Sequence, residues 1–210
     1  MTRRIAQLLV GLALYGAGLA LMVRATVGVA PWDVLTQGIA AHSGWSFGLI
    51  TNVVGALLLL AWIPLRQRPG LGTLLNVALI GPVADLALRA LPPVEHLGVR
   101  TGLFALGLAA VALATGLYIG SHLGPGPRDG LMTGLHARTG MPVWAARTGI
   151  EVTVLAVGWV LGGDVGLGTV AFALLIGPLC QRTLPWFDLR PAGTTAPPPS
   201  RAVGDLVSTT

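Results

Sequence analysis

The chain has 210 residues, of which 53% are hydrophobic and only 10% are charged, and its formal net charge is +5. Soluble domains carry about 25% charged residues, so this composition argues against a soluble protein and favours lipid as the solvent. All thirteen basic residues are arginines, scattered between apolar segments. This pattern argues against a nucleic-acid-binding surface and excludes chemistry that requires a lysine.

The first apolar segment, MTRRIAQLLVGLALYGAGLALMV, has the basic start and apolar run of a signal peptide. The run is longer than a usual signal core, and a similar segment, GLFALGLAAVALATGLYIG, lies in the middle of the chain. We therefore predict that the first segment is retained as a transmembrane helix.

Each half of the chain contains a long apolar span, a short segment that begins at a proline, and two further long spans. The predicted spans are residues 5–23, 45–65, 70–91, 101–120, 142–163 and 165–184, and the short segments are 31–43 and 127–139. A helix of such a short segment rises only about 20 Å, which is too little to cross the bilayer unaided. The short segments are therefore predicted to be re-entrant or interfacial.

The two halves are copies of each other. Residues 11–83 align with 107–179 without a gap at about 21 identical positions. The identities cluster in GVAPWD against GPGPRD, and in GLGT and IGP, which occur in both halves. We predict an all-α polytopic membrane protein of two tandem repeats offset by 96 residues, 1–95 and 96–185, followed by a disordered cytoplasmic tail, 186–210.

The arginines favour six crossings. Six spans place nine arginines on the cytoplasmic side and three on the other, with both termini cytoplasmic in the inner (plasma) membrane. Three crossings per repeat would turn the second repeat upside down, as in many transporters. If the short segments also cross, eight spans result and the arginine bias weakens, so this alternative stays open.

Asp33 and Asp129 occupy matching positions in the two short segments. Three interpretations remain open for them. The acids can stabilise helix N-termini near the headgroups, pair within the protein, or line a polar cavity that binds a cation, relays a proton or holds an amine.

Two charge features break the repeat. Trp32 is replaced by Arg128 in the second half, and we expect Arg128 to reach Asp33 across the symmetry axis. Arg147 and Glu151 stand four residues apart, so they share a helix face, and they have no charged counterparts in the first half. This pair is either functional or an arginine that extends to the membrane surface.

Four prolines are candidates for hinges or kinks: Pro31 and Pro127 begin the short segments, and Pro82 and Pro178 lie inside spans. Asp85 and Arg89 are expected to form an interfacial ion pair. Asn52 and Asn76 are expected to hold helices together rather than to bind a solute.

No familiar enzyme signature occurs in the chain. Its four histidines lack metal-binding spacing, and the lone Cys180 is expected to be a buried thiol. We therefore expect no catalytic residue, no metal and no cofactor.

The matched Gly-x-x-Pro-x-Asp segments, together with GLGT and IGP, resemble the YczE/YyaS/YitT family of bacterial integral membrane proteins. The resemblance implies a multi-spanning inner-membrane protein and offers no site to transfer. From the repeats we expect a small transporter or channel-like protein for a cation or small solute. The alternative is a non-transporting accessory or scaffold protein that binds a partner protein, and a homodimer is left open.

Overall fold

The computed structural model describes residues 1–190, and every regular element in that range is helical. The elements are α1 (Thr2–Ala25), α2 (Pro31–Ser43), α3 (Phe47–Leu65), α4 (Leu71–Ala90), α5 (Leu97–Gly120), α6 (Pro127–Thr139), α7 (Val143–Val160), α8 (Leu167–Thr183) and a 3₁₀ turn (Leu184–Phe187). All helices except α2 and α6 are long and apolar enough to cross a membrane, with α8 counted together with the 3₁₀ turn that continues it to Phe187. The predicted pattern of six long apolar helices and two short ones is confirmed.

The short helices α2 and α6 have the same start and stop signals. Each begins at a proline, whose missing N–H costs nothing in the first helical turn. Each ends at a glycine in the left-handed region, Gly44 with φ 70° and Gly140 with φ 73°. These local signals are why both boundaries agree with the prediction from sequence.

Helices α1 and α5 form the centre of the protein and run antiparallel. The Arg4 side chain donates to the carbonyl oxygens of Ser121 and His122 at one end of the pair, at 2.6 and 2.5 Å. At the other end, Arg100 donates to the carbonyl oxygens of Ala25 and Thr26. Each contact is repeated by residues 96 positions away in the sequence, so the two halves make reciprocal contacts.

The GLGT motifs bind the loop that precedes the short helix of the other half. The Gly72 N–H donates to the Leu123 carbonyl at 2.8 Å, and the Gly168 N–H donates to the Val27 carbonyl at 2.7 Å. A Cβ on Gly168 would lie 2.7 Å from the Gly28 carbonyl oxygen, so only glycine allows this approach. The motif repeats because both halves need the same close contact.

The short helices are exchanged between the halves. Helix α2 packs on α7, where a Cβ on Gly38 would lie 2.7 Å from the Gly158 carbonyl oxygen. Helix α6 packs on α3, where the Trp62 indole N–H donates to the Pro127 carbonyl at 3.0 Å. This exchange brings the N-termini of α2 and α6 to the middle of the protein.

Helices α3 and α4 are tightly joined. Gly48 and Gly81 meet so closely that a Cβ on either would overlap the carbonyl oxygen of the other. The Asp85 carboxylate accepts from the Gly48 N–H at 2.7 Å and from the Ser46 hydroxyl at 2.5 Å. Among residues 1–190 Asp85 forms no ion pair with Arg89, so that prediction was wrong. The reason is that the N-terminus of α3 supplies nearer donors for the carboxylate.

The matching helices α7 and α8 scarcely touch. Trp144 stands where the first half has Gly48, and Gln181 stands where it has Asp85. The Trp144 indole is too bulky for the close contact that Gly48 makes with Gly81. The Gln181 amide lacks the negative charge with which Asp85 caps the N-terminus of α3. The two halves therefore differ most at this helix pair.

The segment after α8 packs against α5. The Leu189 N–H donates to the Gly120 carbonyl at 2.8 Å, and the His122 ring lies 2.6 Å from the Asp188 carboxylate. The hydrogen bond from His122 is the main cause that lowers the pKa of Asp188. Residues 186–190, which the sequence assigns to a disordered tail, are therefore held by α5. The remainder of the predicted tail, 191–210, lies outside the described residues.

Candidate solute-binding cavity

A cavity of about 270 Å³ lies where the N-termini of α2 and α6 meet. Its wall includes Pro31 and Trp32 from the first turn of α2, and Pro127, Arg128 and Asp129 from the first turn of α6. The remaining wall comes from α1, α3, α4, α5, α7 and α8 and is mostly apolar. Since both helix N-termini open into this space, polar backbone groups and charged side chains converge inside an otherwise hydrophobic protein.

The predicted contact between Arg128 and Asp33 is present. The Arg128 guanidinium lies 3.3 Å from the Asp33 carboxylate, and only 2% of the Asp33 side chain is exposed. The same guanidinium lies over the Trp32 ring, 5.2 Å from its centroid. The residue that replaces Trp32 in the repeat therefore packs on Trp32 itself and neutralises the neighbouring acid.

Asp33 does not line the cavity, in contrast to the interpretation that placed both acids on its wall. Its carboxylate is buried against Arg128, and Arg128 forms the wall in its place. Asp129 does line the cavity. The single substitution of Trp32 by Arg128 in the repeat thus gives the two matching acids different environments.

Asp129 is held by a hydroxyl rather than by a cation. The Tyr118 hydroxyl donates to its carboxylate at 2.8 Å, and no arginine within residues 1–190 forms an ion pair with it. Tyr118 in turn packs edge-on against Tyr15, with ring centroids 6.2 Å apart and an interplanar angle of 76°. The result is a negative charge beside two aromatic rings.

Arg147 and Glu151 form the predicted pair on α7, with 3.0 Å between the guanidinium and the carboxylate. Both residues line the cavity, on the side where α7 is separated from α8. Their side chains are 51% and 29% exposed, so the pair lies at the rim rather than in the interior. This position leaves both interpretations from the sequence open.

The four prolines occupy two kinds of position. Pro31 and Pro127 line the cavity at the start of α2 and α6. Pro82 and Pro178 lie inside α4 and α8 and are not part of the cavity wall. Their helices reach the cavity through nearby residues, Ile80 in α4 and Gly177 in α8.

Several wall residues were not predicted from the sequence. Tyr15 and Tyr118 are the two tyrosines of the chain, and both line the cavity. Two phenols within apolar spans were a signal for a polar interior site. Asn76 also lines the cavity, whereas Asn52 holds α3 to α4 by accepting from the Gly81 N–H at 3.1 Å. The prediction of a helix-linking role thus agrees with the contacts of Asn52 and not with the position of Asn76.

One polar group at the cavity lacks a partner. Trp32 is 6% exposed, and within the described part of the chain its indole N–H has no hydrogen-bond acceptor. A buried donor without a partner costs about 1–3 kcal/mol. Water or a bound molecule in the cavity would remove this cost.

The described residues contain no group of three or more His, Cys, Asp or Glu side chains arranged to hold a metal ion. The two acids on the cavity wall have separate partners: Glu151 pairs with Arg147, and Asp129 accepts a hydrogen bond from Tyr118.

Comparison with known proteins gives relatives along most of the chain. An uncharacterized protein of Haemophilus influenzae is 38% identical over 179 residues, which cover 85% of this chain and 82% of the relative. The uncharacterized membrane protein YczE of Bacillus subtilis is 33% identical, covering 83% and 82% of the two chains. The uncharacterized protein YyaS of the same organism is 23% identical, covering 84% and 90%.

These relatives confirm the resemblance drawn from the repeated motifs. No solved structure matches the chain. The model of the DUF6198 family, described as a family of unknown function, matches residues 2–184. That range includes all eight helices and every residue of the cavity wall. The chain is a membrane protein with several apolar helices and belongs to the DUF6198 family.

Proposed function

We propose that the protein is a small transporter or channel-like protein of the inner membrane, built from two inverted repeats. Its solute or cation occupies the cavity between the N-termini of α2 and α6. The observation that carries the proposal is the cavity itself, in which two half-length helices meet head to head beside a carboxylate, Asp129. Transporters with inverted repeats bind their substrates at such breaks between helices near the bilayer midplane.

The contacts of α1 with α5 support the inverted arrangement. These helices are equivalent in the repeat and run antiparallel, as the paired contacts of Arg4 and Arg100 at opposite ends require. A two-fold axis that maps one helix onto an antiparallel neighbour is perpendicular to both helices. If both helices cross the bilayer, this axis lies in the membrane plane.

The difference between the two helix pairs supports an alternating mechanism. Helices α3 and α4 are in close contact, whereas the equivalent helices α7 and α8 are separated. Inverted repeats that adopt different conformations produce a cavity open to one face of the membrane, and exchange of the two conformations opens it to the opposite face. If the termini are cytoplasmic, the separated ends of this pair, the start of α7 and the end of α8, face the cytoplasm.

Two glycines provide a test of the route. Gly177 in α8 lines the cavity, Gly149 in α7 does not, and a Cβ at either position would meet open space. Leucine at Gly177 is expected to narrow the cavity without disturbing the fold, and leucine at Gly149 serves as the matched control. We expect Gly177→Leu to reduce flux by at least about tenfold, the loss that corresponds to about 1.4 kcal/mol.

The assay is the uptake of labelled methylammonium, alanine and glycerol into proteoliposomes under an imposed proton or sodium gradient. These probes represent a cation, a zwitterion and a neutral solute. The proposal predicts uptake of at least one probe above that of protein-free vesicles, and a decrease for Gly177→Leu alone. Uptake equal to that of empty vesicles for all three probes, or equal effects of the two leucines, would contradict it.

A further inference from the structure

We propose that the cavity binds a monovalent organic ammonium compound, with the Asp129 carboxylate as its counter-ion. This inference names the substrate class of the proposed transporter, and as a statement about binding it can be tested without any transport. Three features of the cavity carry it: the balance of charge, the aromatic rings beside the free acid, and the size and apolar character of the wall.

The charges around the cavity leave one acid unpaired. Arg128 lies against Asp33, and Arg147 lies against Glu151, so these four side chains neutralise one another in pairs. Asp129 has no arginine partner among residues 1–190. A carboxylate inside an apolar protein is costly unless a positive charge or hydrogen bonds compensate it. A ligand with a single positive charge completes the balance, whereas an anion would increase the excess negative charge.

One aromatic side chain contacts the free carboxylate, and others line the same cavity. Tyr118 donates to Asp129, and its ring packs edge-on against Tyr15, while Phe172 forms another part of the wall. Aromatic faces attract ammonium groups, and the attraction grows when water is excluded. The Arg128 guanidinium on the Trp32 ring shows that this site already holds one cation on an aromatic face.

The size and polarity of the cavity favour an organic cation over a bare ion. A volume of about 270 Å³ is close to the lower end of ligand pockets, which begin at about 300 Å³, and far exceeds the space of one ion. Apolar residues such as Leu19, Val111 and Ile176 form much of the wall. A metal ion would require several oxygen ligands at short distance, and no three His, Cys, Asp or Glu side chains of the described residues come together in that way. A ligand with an ammonium group on a small apolar body matches both the Asp129 carboxylate and the apolar wall.

The binding test uses three molecules of nearly equal shape and different charge. Purified wild-type protein in nanodiscs is titrated calorimetrically near neutral pH with 2-phenylethylammonium, neutral 2-phenylethanol and anionic 3-phenylpropionate, with empty nanodiscs as the blank. We expect saturable binding of the ammonium compound only. Because this series needs no mutation, it decides the charge preference even if a variant fails to fold.

The second arm of the test assigns the counter-ion. Asp129→Asn is expected to weaken ammonium binding by about ten- to a hundredfold, as expected for the loss of a hydrogen bond to a charged group. Asp129→Glu should retain most of the binding. Glu95→Gln is the matched control, because Glu95 is an exposed acid in the loop between α4 and α5. Equal binding of the neutral or anionic analogue, or an unchanged affinity in Asp129→Asn, would overturn the inference.

The outcomes separate the two proposals. Ammonium binding at Asp129 without flux of any probe would refute transport and leave the binding site standing. Flux of alanine or glycerol without ammonium binding would support transport and refute the substrate class.

Discussion

Replacing Arg128 with glutamine should destabilise the protein more than replacing its partner, Asp33, with asparagine. The two side chains make one contact of 3.3 Å, but their surroundings differ. Asp33 is 2% exposed, whereas Arg128 is 24% exposed and reaches the cavity. When the arginine is lost, the carboxylate remains in a site that water does not reach. When the aspartate is lost, the guanidinium can still be solvated from the cavity.

The burial of Asp33 determines how much the free energy of unfolding should fall in Arg128→Gln. An uncompensated buried charge costs about 3–5 kcal/mol. If the carboxyl takes up a proton instead, protonation also costs free energy at pH 7. The ordinary pKa of aspartate is about 3.9 and each pH unit above it costs about 1.4 kcal/mol, so the cost at pH 7 is about 4 kcal/mol. We therefore expect Arg128→Gln to lower the free energy of unfolding by about 4 kcal/mol. For Asp33→Asn we expect about 1.5–3 kcal/mol, the typical cost of one lost hydrogen bond to a charged group.

The assay is unfolding in mixed detergent micelles, followed by helical circular dichroism at pH 7 and pH 5. At pH 5, which is two pH units lower, protonation of the carboxyl costs about 3 kcal/mol less. The loss of stability of Arg128→Gln should therefore shrink by about 3 kcal/mol. Asp33→Asn lacks this carboxyl and serves as the control for other pH effects. The double variant should be more stable than Arg128→Gln alone, because it leaves no buried charge unpaired.

Three results would refute this reasoning. The first is equal stability of the two single variants at pH 7. The second is a deficit of Arg128→Gln that does not change between pH 7 and pH 5. The third is a double variant whose loss equals the sum of the single losses, which would show that the two residues are not coupled.

Three further predictions concern the topology, the contact of α3 with α4 and the C-terminal contact. In a Cys180→Ser background, cysteines at Ser43 and Thr139, which are exposed and 96 positions apart, should react with a membrane-impermeant maleimide from opposite faces; labelling from one face would refute the inversion. Gly81→Val should separate α3 from α4 and cost about 1–3 kcal/mol in unfolding measurements, whereas normal stability would contradict the tight contact. Asp188→Asn should lower the melting temperature fully above about pH 4 and progressively less as the pH falls below it, since a lowered pKa stabilises only where the acid is ionised; a deficit independent of pH would argue against it.

Much of the fold follows from patterns that act locally. Long apolar runs, prolines at Pro31 and Pro127, and glycines at Gly44 and Gly140 predict eight helices and their boundaries, because helix starts and stops depend on neighbouring residues. The duplication adds long-range information. Residues matched by the repeat, such as GLGT, proved to make matched contacts in the structure. The charge contrast between Trp32 and Arg128 was enough to predict the contact with Asp33.

Other features could not be read from the pattern. The expected pair of Asp85 with Arg89 followed helix spacing, but the carboxylate instead caps the N-terminus of α3, which is distant in sequence. Asn52 and Asn76 look alike in the sequence, yet one joins two helices and the other faces the cavity. Such choices depend on which helix faces which, and periodicity within one helix carries no information about that.

The sequence by itself determined that the chain belongs in lipid, that residues 11–83 and 107–179 share about 21 identical positions, and that Asp33 and Asp129 match in that alignment. These properties depend on composition, spacing and identity along the chain. Only the tertiary structure decided that the acids differ, with Asp33 buried against Arg128 and Asp129 facing the cavity beside Tyr118. The physical reason is that the environment of a charge is set by neighbours within a few ångströms, and here those neighbours come from other helices and from the other half of the chain.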